Sequence, residues 1–437
     1  MLKEEYLVEN AKRILNLNWK EGFTIPTGKL YPFQWNWDSG FTSIGHSYFD
    51  LNFAIQEIQS LFSGQWENGM LPHILFHSEN ETTYFPNYDF WDSSVNAGAP
   101  QRPKSSGITQ PGVHGFILEN LLEKFPDNQQ LIDFVKVIFP KMVKSHRFFY
   151  TYRDPEREGL MFIFHPWESG RDNSPLWDES LDRIQINDGE IPEYKRVDTS
   201  LAPTDERPTS YQYDRYVYLL QLGKKYKYDE IGIFNESPFL VQDTLMNAAL
   251  IKSNQSLINI GKRFGWDVGE VEEWQQQSKP RFVEKMWNEE LKIFTPYDVR
   301  AGHHIAHKEI GGLIALYAEL PNTTQAQQLN DYLQDLHKRG FYICPSFDVD
   351  SPLFDSKRYW RGPVWSQMNW MIYHGLKHYG FDATAEIVKS DLIELVSQMG
   401  FYEYFESQKT LAKQLTTGYG GGDFSWTAAC TLDLLKT

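Results

Sequence analysis

The sequence predicts an all-α fold, a toroid of paired helices with long loops and minor β-hairpins gathered at one end. Three observations lead there. Apolar residues recur at helical spacing in stretch after stretch, while alternating strand patterns are few. Polar-aromatic motifs return at residues 34–38, 110–114, 165–172, 211–216, 359–370 and 401–426, nearly all at the start of a helical stretch. No low-complexity linker interrupts the 437 residues, so one domain spanning 1–437 is expected. If the helices between motifs pack as antiparallel pairs, every motif falls at the same end of a ring, around one central pocket.

The chain opens with an amphipathic helix, because Leu7, Ala11, Ile14 and Leu15 share one face. It ends near residues 19–22, and Pro26 and Gly28 mark a loop. The motif QWNWDSGF, from Gln34, runs into apolar positions at Ile44, Phe49, Phe53, Ile55, Ile58 and Leu61, which read as one helix before a turn at Gly64. The following region, to about Gln110, is polar, aromatic and Pro-rich, and forms long excursions in this reading. Helical spacing returns at 113–122 and 131–149. After the loop 165–178 and a polar stretch at 199–207 come helices at 213–222, 241–264 and 268–286, the last two rich in helix formers. Helices at 309–317, 324–337, 363–378, 383–399 and 424–435 complete the ring. Pro363 is expected in a first helical turn, where its missing N–H is harmless. A short alternation at 160–164 suggests a hairpin beside a loop.

The formal charge of −16 argues against nucleic-acid or anionic-membrane partners, which need a basic surface. Aromatic residues make up 15% of the chain, with 14 Trp, 24 Tyr and 29 Phe, many in loop-like segments beside Asp, Asn, Gln and Arg. That setting suits a ligand with apolar faces and a rim of hydroxyls, as sugars have. With only Cys344 and Cys430, no disulfide framework is expected. Residues 1–15 lack the apolar core of a signal peptide, and no run of about 18 apolar residues exists, so a cytoplasmic protein is expected. Nothing in the sequence speaks to oligomeric state.

The loop HPWESGRDNSPLWD, residues 165–178, is the stretch around which the chain is organised. Its prolines, tryptophans and acids fit neither helix nor strand. It is suited to present Asp172 as a carboxylic acid beside the flat ring of Trp167, with Asn173 and Ser174 to orient the carboxyl and tryptophans to exclude water and raise its pKa. The competing reading is a surface loop anchored by those tryptophans. Breaking a glycosidic bond takes one protonated carboxyl and a second, ionised one on the opposite face. Glu403, between Tyr402 and Tyr404, is the candidate for the second, held by those two phenols; Glu406 competes, and a plain strand or loop residue is the alternative. Glu168 and Asp178 read as structural acids.

Trp35 and Trp37 share one side if their segment is extended, and Asp38 either accepts from sugar hydroxyls or caps the following helix. Arg207, Tyr213, Asp214 and Arg215 offer charge and phenols, or a surface ion pair. RYWRGPVW, residues 358–365, reads as a pocket wall or a buried aromatic corner. His303, His304 and His307 lack HExxH and a third ligand. GYGGG lacks the Lys-Ser/Thr of a phosphate loop and follows no clear strand, and DVDSPLFD lacks the Gly and terminal Glu of a calcium loop. No metal and no cofactor are therefore expected.

QWNWDSGF, the TQPG at Thr109, HPWESGRDNSPLWD, RPTSYQYDRY from Arg207, RYWRGPVW and FYEYF…GGGDFSWTAA occur in this order from residue 34 to 429. On them the chain resembles glycoside hydrolase family 63, and within it the short bacterial mannosylglycerate and glucosylglycerate hydrolases. The resemblance implies an (α/α)6 barrel and inversion at the anomeric carbon. It implies Asp172 as general acid and Glu403 as general base. It places Trp35, Trp37, Asp38 and Gln110 on sugar-subsite positions, and Arg207, Tyr213, Tyr359, Trp360 and Trp365 on other pocket positions. The family usually shows an apolar residue where Arg171 stands. Asp423 adds an acid expected near the pocket mouth, which a glycerate carboxylate tolerates only if Arg171 or Arg207 neutralises it. The expected activity is hydrolysis of a small α-glucoside or α-mannoside, with glucosylglycerate and mannosylglycerate leading. A trehalase-like α-glucosidase and a non-catalytic sugar-binding protein are the alternatives.

Overall fold

The structure, a computed structural model, describes residues 4–28, 30–78 and 84–437. Residues 1–3, residue 29 and residues 79–83 lie outside the described residues. In chain order the ring-forming helices are α1 (Glu4–Asn18), α2 (Asn36–Ser47), α3 (Leu51–Ser63), α4 (His114–Lys124) and α5 (Gln129–Tyr152). After α6 (Ser210–Lys225), which packs on the segment 165–178, come α7 (Thr244–Phe264), α8 (Gly269–Met286), α9 (Ile310–Leu313), α10 (Thr323–Lys338), α11 (Ser366–His378), α12 (Asp382–Met399) and α13 (Ser425–Lys436).

Helices α2, α4, α7, α9, α11 and α13 form the inner wall, and their antiparallel partners the outer one. α13 packs against α1, α2 and α11, α2 against α4, α4 against α7, and α7 against α9. Gly375 of α11 closes the circuit by lying against the backbone of Leu316 and Tyr317. The fold is an (α/α)6 barrel.

The two walls differ in sequence because they differ in surroundings. Outer α1 buries one face, through Leu7, Val8, Ala11, Ile14 and Leu15. Inner α2 is buried at every residue, so it needs small residues rather than an apolar stripe. A Cβ on Gly45 would sit 2.7 Å from the Cβ of Ala429 in α13. The hydroxyls of Ser43 and Ser47 donate to their own helix, to Ser39 O at 2.6 Å and Ile44 O at 2.7 Å.

Short antiparallel sheets cover the pocket end. β1 (Gln34–Trp35), β2 (Ile74–Phe76) and β3 (Lys104–Ser105) form one. β4 (Val241–Gln242) pairs with β7 (Tyr297–Asp298), which pairs with β8 (His303–His304); β5 (Trp287–Asn288) and β6 (Ile293–Phe294) make a hairpin. β9 (Val364–Trp365), β10 (Tyr402–Phe405) and β11 (Tyr419–Gly422) form the last.

Several local expectations are corrected. The helix expected through Ile44 to Leu61 is two, broken at Asp50, whose carboxylate accepts the Asn52 N–H at 2.9 Å and caps α3. The helix expected at 309–317 is regular only over Ile310–Leu313. Beyond it Ile314, Leu316 and Glu319 donate to carbonyls three residues back, the tighter winding of a 3-10 turn, after a Gly311–Gly312 pair poor in helix propensity. Pro363 is not in a first helical turn: Val364 and Trp365 pair with Phe405 and Tyr404, and α11 begins at Ser366. Val241 and Gln242 are strand, not helix. No hairpin forms at 160–164; Ile163 alone makes a bridge, to Val241. The glycine run after Tyr419 is itself a strand, pairing with β10. No helix among the described residues is long and apolar enough to cross a membrane.

Candidate active site

The loops that precede the inner helices converge on one cavity. It is lined by Trp35, Trp37 and Asp38 at the start of α2, Gln110 ahead of α4, Trp167 and Asp172 of the long loop, Arg207 and Tyr213 around the start of α6, Tyr359, Glu403 of β10, and Trp426 at the start of α13. Among the sequence candidates, Trp360 and Trp365 do not line it. Their rings stack 3.7 Å apart and 6° from parallel, and Trp365 backs Tyr359 edge-on at 5.2 Å. They are the buried aromatic corner, with Tyr359 as the pocket wall.

The segment 165–178 is not a surface loop. It folds into two 3-10 turns, and nearly all of it is buried. Glu168 is structural as expected: it pairs with buried Arg153 at 2.8 Å and accepts the Phe164 N–H at 2.9 Å. Asp178 pairs with Arg361 at 2.7 Å. Gly170 takes φ +67, and a Cβ there would sit 2.6 Å from the Trp37 ring, so this glycine lets the acid loop lie against Trp37. Tyr216 donates to the Asp172 carbonyl at 2.7 Å. Asn173 and Ser174 do not orient the Asp172 carboxyl: Asn173 Oδ1 accepts the Trp360 N–H at 2.9 Å, and Ser174 caps its own turn. Burial, helped by the charge of Glu403 and opposed by Arg207, pushes the Asp172 carboxyl up to about 7.

Glu403 is gripped by donors. Oε1 accepts from Tyr31 at 3.0 Å and Tyr359 at 3.2 Å; Oε2 accepts the Gly421 N–H at 3.2 Å. Burial raises its pKa, while Arg207 and these three donors pull it back. The phenols expected to hold it, Tyr402 and Tyr404, do not. Tyr404 donates to Glu206 O at 2.9 Å and stacks on Trp365, because neighbours along a strand face the opposite side. Glu406 is no rival: it accepts from Ser356 at 2.8 Å and Tyr419 at 3.1 Å, outside the cavity lining.

Arg207 is the only cation among the described lining residues, against Asp38, Asp172, Asp198 and Glu403. Far from being a surface ion pair, it is 5% exposed. Nη1 donates to Tyr31 at 3.0 Å, Nε to Asp198 at 3.2 Å, and the guanidinium lies 4.4 Å over the Tyr359 ring. Nη2 has no hydrogen-bond partner among the described residues. Asp38 sits in the first turn of α2 and does not cap it; Trp35 holds the cap position. Burial, with the charges of Glu403 and Glu57, holds the Asp38 carboxyl well above the usual range. Trp35 is in a strand and Trp37 in a helix, so alternation does not align them; the Trp37 N–H donates to Gln110 Oε1 at 3.2 Å. Tyr213 packs on Trp167, centroids 5.9 Å apart.

Arg171 and Asp423 both miss the cavity. Arg171 is buried between Asp243 and Glu309, and Asp423 pairs on the surface with Arg13 at 3.0 Å. His303 lies 3.3 Å from Glu179, His304 3.1 Å from Thr295 Oγ1, and His307 against Phe347. The lining residues that sequence reasoning missed are chiefly Tyr31, Tyr84, Phe85, Asp198 and Leu201. None stands in a motif with internal spacing that would mark it.

The family profile described as the mannosylglycerate hydrolase MGH1-like glycoside hydrolase domain matches residues 31–427. The chain is 40% identical to a mannosylglycerate hydrolase of Thermus thermophilus over 423 residues, covering 97% of this chain and 99% of that one. It is 30% identical to a glucosylglycerate hydrolase of Mycolicibacterium hassiacum, covering 98% and 97%. The crystal structure of a family 63 mannosylglycerate hydrolase from Thermus thermophilus, in complex with Tris and D-glycerate, superposes with a TM-score of 0.91 at 39% identity over 98% of this chain and 99% of that chain.

Proposed function

Since the chain belongs to the mannosylglycerate hydrolase MGH1-like glycoside hydrolases of family 63, we propose that it hydrolyses the α-glycosidic bond of a glucosyl- or mannosylglycerate with inversion. The observation that carries this reading is the pairing of two carboxyls on one cavity, Asp172 with no donor from another described residue and Glu403 held by three. Asp172, pushed up to about 7, gives its proton to the glycosidic oxygen as the bond to C1 breaks. Glu403 has three of its lone-pair positions occupied by Tyr31, Tyr359 and Gly421. The remaining one takes the proton of a water that attacks C1 from the opposite face. The sugar leaves as the β-anomer, glycerate leaves with its hydroxyl restored, and the two carboxyls exchange protons with solvent before the next turnover.

Trp35, Trp37 and Trp167 offer flat faces to the hexose ring, and Asp38, Gln110 and Tyr213 offer polar atoms to its hydroxyls. Arg207 is the proposed partner of the glycerate carboxylate through Nη2, since Arg171 is committed elsewhere. Four acids around one arginine also favour a second reading, a neutral α-glucoside of trehalase-like type. A panel of mannosylglycerate, glucosylglycerate, trehalose and kojibiose decides: the first reading expects release of sugar from a glycerate glycoside well above the neutral disaccharides. An α-anomer as first product would rule out inversion. The reading treats 1–437 as one catalytic domain, supported by the packing of α1 on α13. It places the enzyme in the cytoplasm, supported by two buried, unpaired cysteines.

A further inference from the structure

Arg171 stands next to the proposed acid, yet its side chain does not line the cavity. Its side chain is 1% exposed and its guanidinium is held between Asp243 on Nη2 and Glu309 on Nη1, both fully buried. Each acid also caps a helix of the inner wall. Asp243 accepts the Met246 N–H at 3.0 Å at the start of α7, and Glu309 accepts the Gly311 and Gly312 N–H groups at 2.7 and 3.0 Å at the start of α9. Thr244 ties the two together by donating to Glu309 Oε1 at 2.9 Å. Gly311 belongs to the same device, because a Cβ there would collide with Arg171 Nη1.

The main chain of Arg171 is pinned as well. Its N–H donates to Ser169 Oγ at 3.0 Å, and its carbonyl accepts from Trp177 Nε1 at 2.7 Å. The carboxyl of Asp172, by contrast, takes no hydrogen bond from another described residue. Its direction is set by the backbone that carries it, and that backbone is anchored through the residue before it.

A buried ion triad is a weak source of stability, since packed apolar side chains of the same volume serve as well. The arrangement ties direction instead: the two Nη atoms of the planar fork are both paired only when two helix starts and one loop hold their places. We propose that Arg171 is the positioning residue of the acid, its clamp to Asp243 and Glu309 fixing the place from which Asp172 faces the glycosidic oxygen. This rests on the reading of Asp172 as general acid.

The test compares two substrates with one glycone: the O-glycoside, whose leaving group needs a proton, and the α-glycosyl fluoride, whose leaving group does not. Arg171→Lys keeps the charge and loses the fork. The triple variant Arg171→Met/Asp243→Asn/Glu309→Gln leaves no buried charge unpaired. In both, the ratio of kcat on the glycoside to kcat on the fluoride should fall, by about 100-fold in the triple variant, the loss typical of a 1 Å misplacement, and by less in the lysine variant, with KM little changed. Parallel loss on both substrates, or no loss, in folded protein of either variant overturns the proposal. Asp172→Asn is the control. If it still turns over the glycoside, the acid assignment itself fails. If it shows the selective loss and the Arg171 variants do not, only the clamp fails.

Discussion

Tyr31 donates to Glu403 at 3.0 Å across 372 residues of chain. The same phenol accepts from Arg207 at 3.0 Å, so one hydroxyl links the pocket's cation to the proposed base. Burial keeps that phenol well above its ordinary pKa, and it stays a donor at any working pH.

Tyr31→Phe therefore removes a hydrogen bond that favours ionised Glu403. A bond to a charged group is worth about 1.5–3 kcal/mol, equivalent to ~1–2 pH units. The acid limb of the kcat/KM profile should move to higher pH by that amount, with the largest loss of rate below neutrality. An unmoved acid limb would show that Tyr31 does not tune the base.

Asp172 predicts the other limb and a stability effect. The proposed acid works protonated, so kcat/KM should fall as pH rises through about 7. Burial lifts the folded-state pKa above the unfolded one, so the folded chain keeps this proton longer. The resulting destabilisation is absent below about pH 4, grows between there and about pH 7, and is complete above it. Asp172→Asn relieves it. Its Tm should exceed that of the parent at pH 8 and match it at pH 4. At ~1.4 kcal/mol per pKa unit the gain is at most about 4 kcal/mol, and smaller here because the residue is only partly buried. An equal Tm difference at both pH values contradicts the assignment.

Gly420 takes φ +69, and a Cβ there would run into Glu403 Oε2. Gly420→Ala should lower kcat by about 100-fold through a displaced base, while the left-handed backbone costs only ~1–2 kcal/mol of stability. Gly422, where a Cβ would make ordinary contact with the Tyr402 ring at 3.5 Å, provides the contrast: Gly422→Ala should leave kcat nearly unchanged. Equal effects at the two glycines, read by kcat alongside Tm, would refute the proposed collision.

Arg207→Lys retains a charge and loses the planar fork that serves Asp198 and Tyr31 and, in the proposed reading, an incoming carboxylate. Turnover should fall on every substrate because Tyr31 loosens. The ratio of kcat/KM for a glycerate glycoside over a methyl glycoside of the same sugar should fall further, by about tenfold, roughly one charge-assisted hydrogen bond. A constant ratio would remove Arg207 from glycerate recognition.

Much of this molecule is legible in one dimension. Helical spacing located the outer helices because each buries one face, and it merged α2 with α3 because an inner helix is buried all round and carries no stripe. Residue chemistry and motif order singled out Asp172, Glu403, Trp35, Trp37, Asp38, Gln110, Trp167, Arg207, Tyr213 and Tyr359, which line one cavity. Their residue types, and their place in motifs that resemble a known family, are properties of the sequence itself. Which groups touch was decided only by the tertiary structure. Strand alternation turns Tyr402 and Tyr404 away from the Glu403 carboxylate, and Tyr31 and Tyr359 take their place. Trp360 and Trp365 pass behind the pocket wall, Asp423 goes to Arg13, and Arg171 turns from the cavity to two helix caps. A hydrogen bond depends on where a side chain points to within an ångström. That direction is set by packing among segments hundreds of residues apart, which no local pattern records.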